Sequence, residues 1–173
     1  CSEILKKISN EPTKRDNFFK KIKLKDLLDE TVKSFENISD KKINFYWNKN
    51  TEDLKINRSL EITYGLRNFI GNAVKYSRSI VNVNLQKEEE NIKIKISDDG
   101  PGFSEDIIEI LGEPYIRSTN SYFTNKSGLG LGTFIGKTLL SRKKAAVDFE
   151  NCKKTEGAIV IIKWKVDQLE ASS

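Results

Sequence analysis

The chain has 173 residues, a net charge of +5, 37% hydrophobic residues, two cysteines, no Met and no His. That length suits one domain of ordinary size, two cysteines make no disulfide framework and fit a reducing compartment, and the lack of His excludes any imidazole base, ligand or phosphoacceptor within the chain. The basic residues are scattered without interleaved aromatics, so no nucleic-acid partner is expected, and the longest wholly apolar run, Ala158–Ile162, is far too short to cross a bilayer.

Residues 1–10 carry Ile4, Leu5 and Ile8 at helical spacing and read as the end of a helix that Asn10-Glu11-Pro12 breaks. The opening CSEILKKISN is no signal peptide. With no Met anywhere, the chain is expected to be part of a longer one. Residues 11–17 read as a linker, 18–167 as the folded domain and 168–173 as a tail. Within the domain, Phe19–Leu24 is a short strand, followed by an amphipathic helix near Asp26–Asn37. Ile43–Trp47 and Asp53–Ile56 are further strands. A long helix spans about Ser59 to Tyr76. Ile80–Gln86 and Asn91–Ser97 form a hairpin about the charged turn Lys87–Glu90. A short helix follows near Glu105–Leu111. The polar, aperiodic residues 112–127 are expected to be a mobile loop. A helix over Leu131–Arg142 places Leu131, Phe134, Ile135 and Leu139 on one face, and Val147–Asn151 and Ala158–Val166 close the domain as strands. Helices and strands mix without regular βαβ alternation, which predicts an α+β two-layer sandwich with helices on one face of a mixed sheet.

Three stretches carry chemistry. In RNFIGNAVKYS, residues 67–77, Leu66, Ile70, Ala73 and Val74 share a stripe at about 100° per residue, with Asn68, Asn72 and Lys75 nearly opposite. An ordinary solvated helix face would explain this, yet Asn is a poor helix former, and its neutral carbonyl oxygen suits Mg²⁺ that is otherwise held by water and phosphates. In NIKIKISDDGPGF, Ile92, Ile94 and Ile96 alternate with lysines, so Asp98 falls on the apolar side. Either the strand has ended in an ordinary turn, for which DG and PG are common pairs, or the carboxylate there has a hydrogen-bonding partner, and an adenine amino group is one. Gly100 and Gly102 let backbone approach a ring closely. In GLGLG, residues 128–132, glycines open a helix whose free amides favour phosphate. This is no dinucleotide fingerprint, because NKS precedes it and its third glycine comes one place early. Gly136-Lys137-Thr138 is no P-loop, because Leu stands at position 131 and the GKT lies inside a helix.

In this order the three stretches resemble the GHKL ATP-binding superfamily, above all the catalytic, ATP-binding domain of sensor histidine kinases. RNFIGNAVKYS resembles the N box, DDGPGF the G1 box, GLGLG the G2 box, and Glu113-Pro114-Tyr115 the F box with Tyr in place of Phe. GLGLGTFIGKTLLSRKKA is similar to redox-responsive RegB/PrrB-type kinases. The resemblance covers roughly residues 18–166 and implies a Bergerat-type fold with a mobile ATP lid. It implies that Asn72 coordinates Mg²⁺ with support from Asn68, that Lys75 reaches phosphate, that Tyr76 and Tyr115 lie against the nucleotide, and that Asp98 reads the adenine amino group. Gly100 and Gly102 would line the base pocket, and Gly128, Leu129, Gly130, Leu131 and Gly132 would hold the phosphates. Arg117 is placed equally as a γ-phosphate contact and as a solvated loop cation. The implied partners are ATP, an upstream dimerising domain bearing the phosphoacceptor His, and a response-regulator receiver domain. The implied setting is cytoplasmic, in a family whose members are often anchored in the inner membrane, and the chain alone is expected to be monomeric or weakly dimeric. A stand-alone serine kinase of the anti-sigma type, a non-catalytic ATP-binding module, and the gyrase, Hsp90 or MutL branch are the competing readings.

Overall fold

The computed structural model describes residues 21–112 and 129–171. Five strands form one mixed sheet in the order β2(Lys42–Trp47), β4(Ile80–Glu88), β5(Asn91–Asp98), β7(Ala158–Lys165), β6(Ala146–Asn151). The β2–β4 pair is parallel and the others are antiparallel. A separate ribbon pairs β1(Lys21–Lys23) with β3(Lys55–Asn57), after a short 3₁₀ turn at Lys49–Thr51. All the long helices pack on one sheet face, giving the expected two layers.

Strand register builds the core in rows. Phe45, Val83, Ile96, Val160 and Phe149 lie side by side across the sheet, and Leu85, Ile94, Ile162 and Val147 form the next row, with the exposed Trp47 at its edge. The opposite face carries Asn82, Asn84, Lys93 and Lys95, each half-buried. This alternation is the period of two that the sequence displays. The hairpin is tighter than expected, since Glu88 pairs with Asn91 and only Glu89-Glu90 turn, with Glu89 at φ 53°.

Helix α1(Leu24–Glu36) begins two residues before its predicted start and buries Leu24, Leu27, Leu28, Thr31 and Val32. Helix α2(Leu60–Tyr76) is capped by Ser59, whose Oγ accepts from the Ile62 amide at 3.2 Å, which satisfies an amide that helix geometry leaves open. Helix α3(Glu105–Gly112) takes in Gly112, the first residue of the expected loop. The rest of that loop, with Tyr115 and Arg117, lies outside the described residues, as do Gly128 and residues 1–20. Helix α4(Leu129–Arg142) starts two residues early.

Two expectations need correction. Among the described side chains of α4 (Leu131 is not one of them), Thr133, Gly136 and Leu140 are buried, whereas Ile135 is 39% exposed and Phe134 and Leu139 are half-buried. The residues after Lys165 form a closing helix of six residues, α5(Val166–Ala171), with Leu169 fully buried in the core.

The burial of α4 has a steric cause. It runs antiparallel to α2, and each helix offers glycines where the other offers bulk. A Cβ on Gly65 would lie 2.6 Å from Leu140, and one on Gly136 would lie 2.9 Å from the Phe69 ring. A Cβ on Gly132 would lie 3.1 Å from the Asn72 amide nitrogen. Close approach therefore selects missing side chains on this seam rather than large apolar ones. It also gives Gly136, the glycine of the false P-loop match, a packing role.

Candidate nucleotide site

The α2–α4 seam ends above a small cavity. Asp98 at the end of β5, Asn72 of α2, Thr133 of α4, and Gly102 and Phe103 of the DDGPGF loop line it. Ile96 and Val160 of the sheet and Ala73 and Tyr76 of α2 complete an apolar lining. The cavity volume is about 20 Å³, room for roughly one water.

Asp98 is the last residue of β5 and pairs with Val81, one inward position beyond Ile96. Its Oδ1 accepts from the Gly100 amide at 2.8 Å and the Ala158 amide at 3.4 Å. Among the described residues no hydrogen bond reaches Oδ2. Among the described residues the carboxylate thus has two partners and one oxygen left for another donor. Burial pushes its pKa above the ordinary carboxylate range, with the neighbouring Asp99 charge adding to the rise and the two amides opposing it.

Asn72 donates from Nδ2 to Thr133 Oγ1 at 3.3 Å. The amide nitrogen is thereby committed to α4, and Oδ1 remains an acceptor at the cavity. Asn68, one turn earlier, is half-buried. Lys75 is exposed, with Nζ 5.2 Å from the centre of the Tyr76 ring. Leu129, Gly130, Leu131 and Gly132 lie in the first turn of α4, so the glycine motif stands inside the helix start. Gly132 faces Asn72 directly.

Gly100 does not line the cavity. A Cβ there would lie 2.3 Å from the Tyr76 carbonyl oxygen, so this glycine lets the loop pass over the end of α2. Gly102 does line it, at φ 78°, and a Cβ there would collide with residues 151 and 156.

Asp99 has a role that the sequence did not disclose. Its carboxylate accepts from the amides of Arg78 at 2.8 Å, Ser79 at 3.0 Å and Ile80 at 3.1 Å, and from the Ser79 hydroxyl at 2.7 Å. From the other side, Lys41 Nζ donates to the carbonyls of Ser77 and Arg78. The connector after α2 is therefore held by one anion on its amides and one cation on its carbonyls. Desolvation raises the Asp99 pKa, but the Ser79, Ile80 and Arg78 donors outweigh it and hold the group well below its usual 3.8. A depressed folded-state pKa contributes stability above pH 3.8 that is lost as the pH falls below it. Asp99→Ala should cost roughly 1 kcal/mol at neutral pH, because the freed amides are exposed enough to hydrate. It should also flatten the acid limb of the stability curve below about pH 4, as read by thermal melts across pH. An unchanged acid limb would show that the grip contributes nothing.

Other site residues also escaped the sequence reading. Thr133 and Ala158 carry no local signal, and each is placed by a partner far along the chain.

The histidine kinase-, DNA gyrase B-, and HSP90-like ATPase family matches residues 57–168. Sensor histidine kinase RegB of Cereibacter sphaeroides is 39% identical over 127 residues, covering 65% of this chain and 28% of RegB. Sensor histidine kinase CpxA of Escherichia coli is 28% identical over 99 residues, covering 57% of this chain and 21% of CpxA. The chain thus spans less than a third of the length of these relatives. Among solved structures, the nucleotide-free catalytic domain of histidine kinase ThkA superposes with a TM-score of 0.66 at 19% identity, covering 87% of this chain and 98% of that one. Full-length ShkA in complex with AMPPNP gives 0.63 at 21% identity, covering 84% and 30%. At such identities the superpositions establish the fold.

Proposed function

The chain belongs to the histidine kinase-, DNA gyrase B-, and HSP90-like ATPases, and on that premise we propose that it is the ATP-binding kinase domain of a two-component sensor, delivering the γ-phosphoryl group to a His on a separate dimerising helical domain for relay to an Asp of a response-regulator receiver domain. One observation carries the reading: the Asp98 carboxylate and the Asn72 amide oxygen are acceptors on the same cavity, beside the first turn of α4. RegB and CpxA, both sensor histidine kinases by name, favour this branch of the family. The chain has no His of its own, so the acceptor belongs to another domain, working with it in the cytoplasm.

In this reading Asp98 Oδ2 accepts from the adenine amino group while Ile96, Ala73 and Val160 contact the ring. Asn72 presents a neutral oxygen towards the phosphates, and Asn68 lies behind it. Lys75, Gly130 and Gly132 lie where the triphosphate would run. Among the described residues no three His, Cys, Asp or Glu side chains gather into a metal site. That donor set fits Mg²⁺ held mostly by phosphate and water, with Asn72 as its protein ligand. Bound there, Mg²⁺ would neutralise phosphate charge. The protein's own task is positioning: the bond from the γ-phosphorus to its bridging oxygen breaks, a P–N bond forms to the His, and ADP leaves.

Incubation with γ-labelled ATP and Mg²⁺ tests this. The chain alone should stay unlabelled, since reaction needs a nucleophile held close to the γ-phosphate. Added helical domain bearing the His should gain acid-labile, alkali-stable label. Strong label on the chain itself, or on a Ser of an anti-sigma antagonist, overturns the reading.

A further inference from the structure

The hairpin between β6 and β7 lies more than forty residues beyond the DDGPGF loop in sequence, yet it grips that loop at three points. Asn151, the last residue of β6, accepts at Oδ1 from the Phe103 amide at 2.8 Å and donates from Nδ2 to the Phe103 carbonyl at 2.8 Å. Its side chain thus serves both backbone groups of one residue, as a neighbouring strand would, in a stretch that has no regular structure of its own. Gly102 is the second point. It has φ 78°, and a Cβ there would lie 2.2 Å from the Glu156 carbonyl oxygen and 2.7 Å from Asn151 Oδ1. The third is Gly157, where a Cβ would lie 1.8 Å from the Asp98 carbonyl oxygen. The hairpin is itself braced, since the Cys152 amide donates to Gly157 at 2.8 Å and the Glu156 amide to Cys152 at 2.9 Å.

Gly102 and Phe103 line the cavity together with Asp98. The Phe103 ring is buried in the core, where it meets the edge-on ring of Phe149 at 5.7 Å. A ring contact leaves the backbone free to slide along it, whereas two hydrogen bonds from one planar amide set both position and orientation. Resting on the nucleotide reading above, we propose that Asn151 is a positioning residue that fixes the base-side wall of the pocket and so sets selectivity for adenine over other bases. It need not touch the nucleotide to do so.

The position of the clamp dictates a signature. A loss on the base side weakens every ligand that carries adenine by the same factor, whatever its phosphates. It also relaxes discrimination against another purine. A merely structural role would lower the melting temperature and leave those ratios alone. The test is calorimetry on the 173-residue chain and on Asn151→Ala, with ATP, ADP and GTP as probes, well below the melting temperature of each. Asn151→Ala should bind ATP and ADP about tenfold more weakly, the scale of two lost neutral hydrogen bonds. Its preference for ATP over GTP should shrink by a similar factor. Asn151→Asp keeps the acceptor for the Phe103 amide but sets an oxygen against the Phe103 carbonyl, so it should lose at least as much. If Asn151→Ala does not fold, this variant carries the test. Unchanged preference for ATP over GTP in the folded variants overturns the proposal. Failure of the unmodified chain to bind ATP would instead overturn the nucleotide reading beneath it.

Discussion

Replacing Asp98 by alanine should weaken ATP binding by roughly 5- to 150-fold, the range of about 1–3 kcal/mol for a lost hydrogen bond to a charged group. The side chain occupies an inward position at the end of β5, with Oδ1 on the Gly100 and Ala158 amides. Alanine removes the acceptor and frees both amides. Asp98→Asn separates the two effects, because its carbonyl keeps those amides while its NH₂ opposes the adenine amino group. The asparagine variant should therefore lose binding with its local structure intact. It should melt no lower than the unmodified chain. Burial raises the Asp98 pKa, so the folded state favours the protonated form, and that preference is lost as the pH rises through the folded value. At neutral pH the ionised group opposes folding, and asparagine removes that opposition. ATP binding should weaken on acidification at a pH above the usual carboxylate range, since the protonated acid is the poorer acceptor. Calorimetry and thermal melts across pH read all of this. Unchanged ATP affinity in Asp98→Ala would remove Asp98 from the site.

Gly100→Ala should destabilise the domain by about 2–3 kcal/mol, the scale of forced overpacking, and weaken ATP binding with it. The new methyl group would meet the Tyr76 carbonyl oxygen at 2.3 Å and Asp98 Oδ1 at 2.9 Å. Neither can retreat easily. The backbone just after Tyr76 is held by Asp99 on its amides and Lys41 on its carbonyls, and Asp98 is tied to the loop itself. Gly71→Ala on α2 is the control. Its Cβ would meet only the tip of the Phe35 ring at 3.0 Å, a side chain that can tilt, and alanine is the better helix former by up to about 1 kcal/mol. Denaturant unfolding should show a large loss for Gly100→Ala and little or none for Gly71→Ala. Equal effects would mean that the loop passes over the helix end more loosely than it does here.

Much of this protein follows from its sequence because the relevant forces are local. The alternation Ile92, Ile94, Ile96 sets a strand whichever sheet receives it, and it sets Asp98 on the inward side. Ser59 caps its helix through an amide three residues away. Asn72, Asp98 and Gly132 could be picked out as candidates because the type and order of their residues already narrow the chemistry. Tertiary structure decided what those residues face. Gly136 is buried and Ile135 exposed on α4, against their hydrophobicity, because α2 approaches too closely there to admit a side chain. Gly100 serves the Tyr76 carbonyl, a contact that exists only once the loop has crossed the helix end. Asn151 looks like any polar residue at the end of a strand until Phe103, 48 residues earlier, is brought to it. A side chain's periodicity and capping depend on neighbours within a few positions. Its partner across a helix seam or a loop crossing depends on where distant backbone arrives, and no local pattern in the chain encodes that.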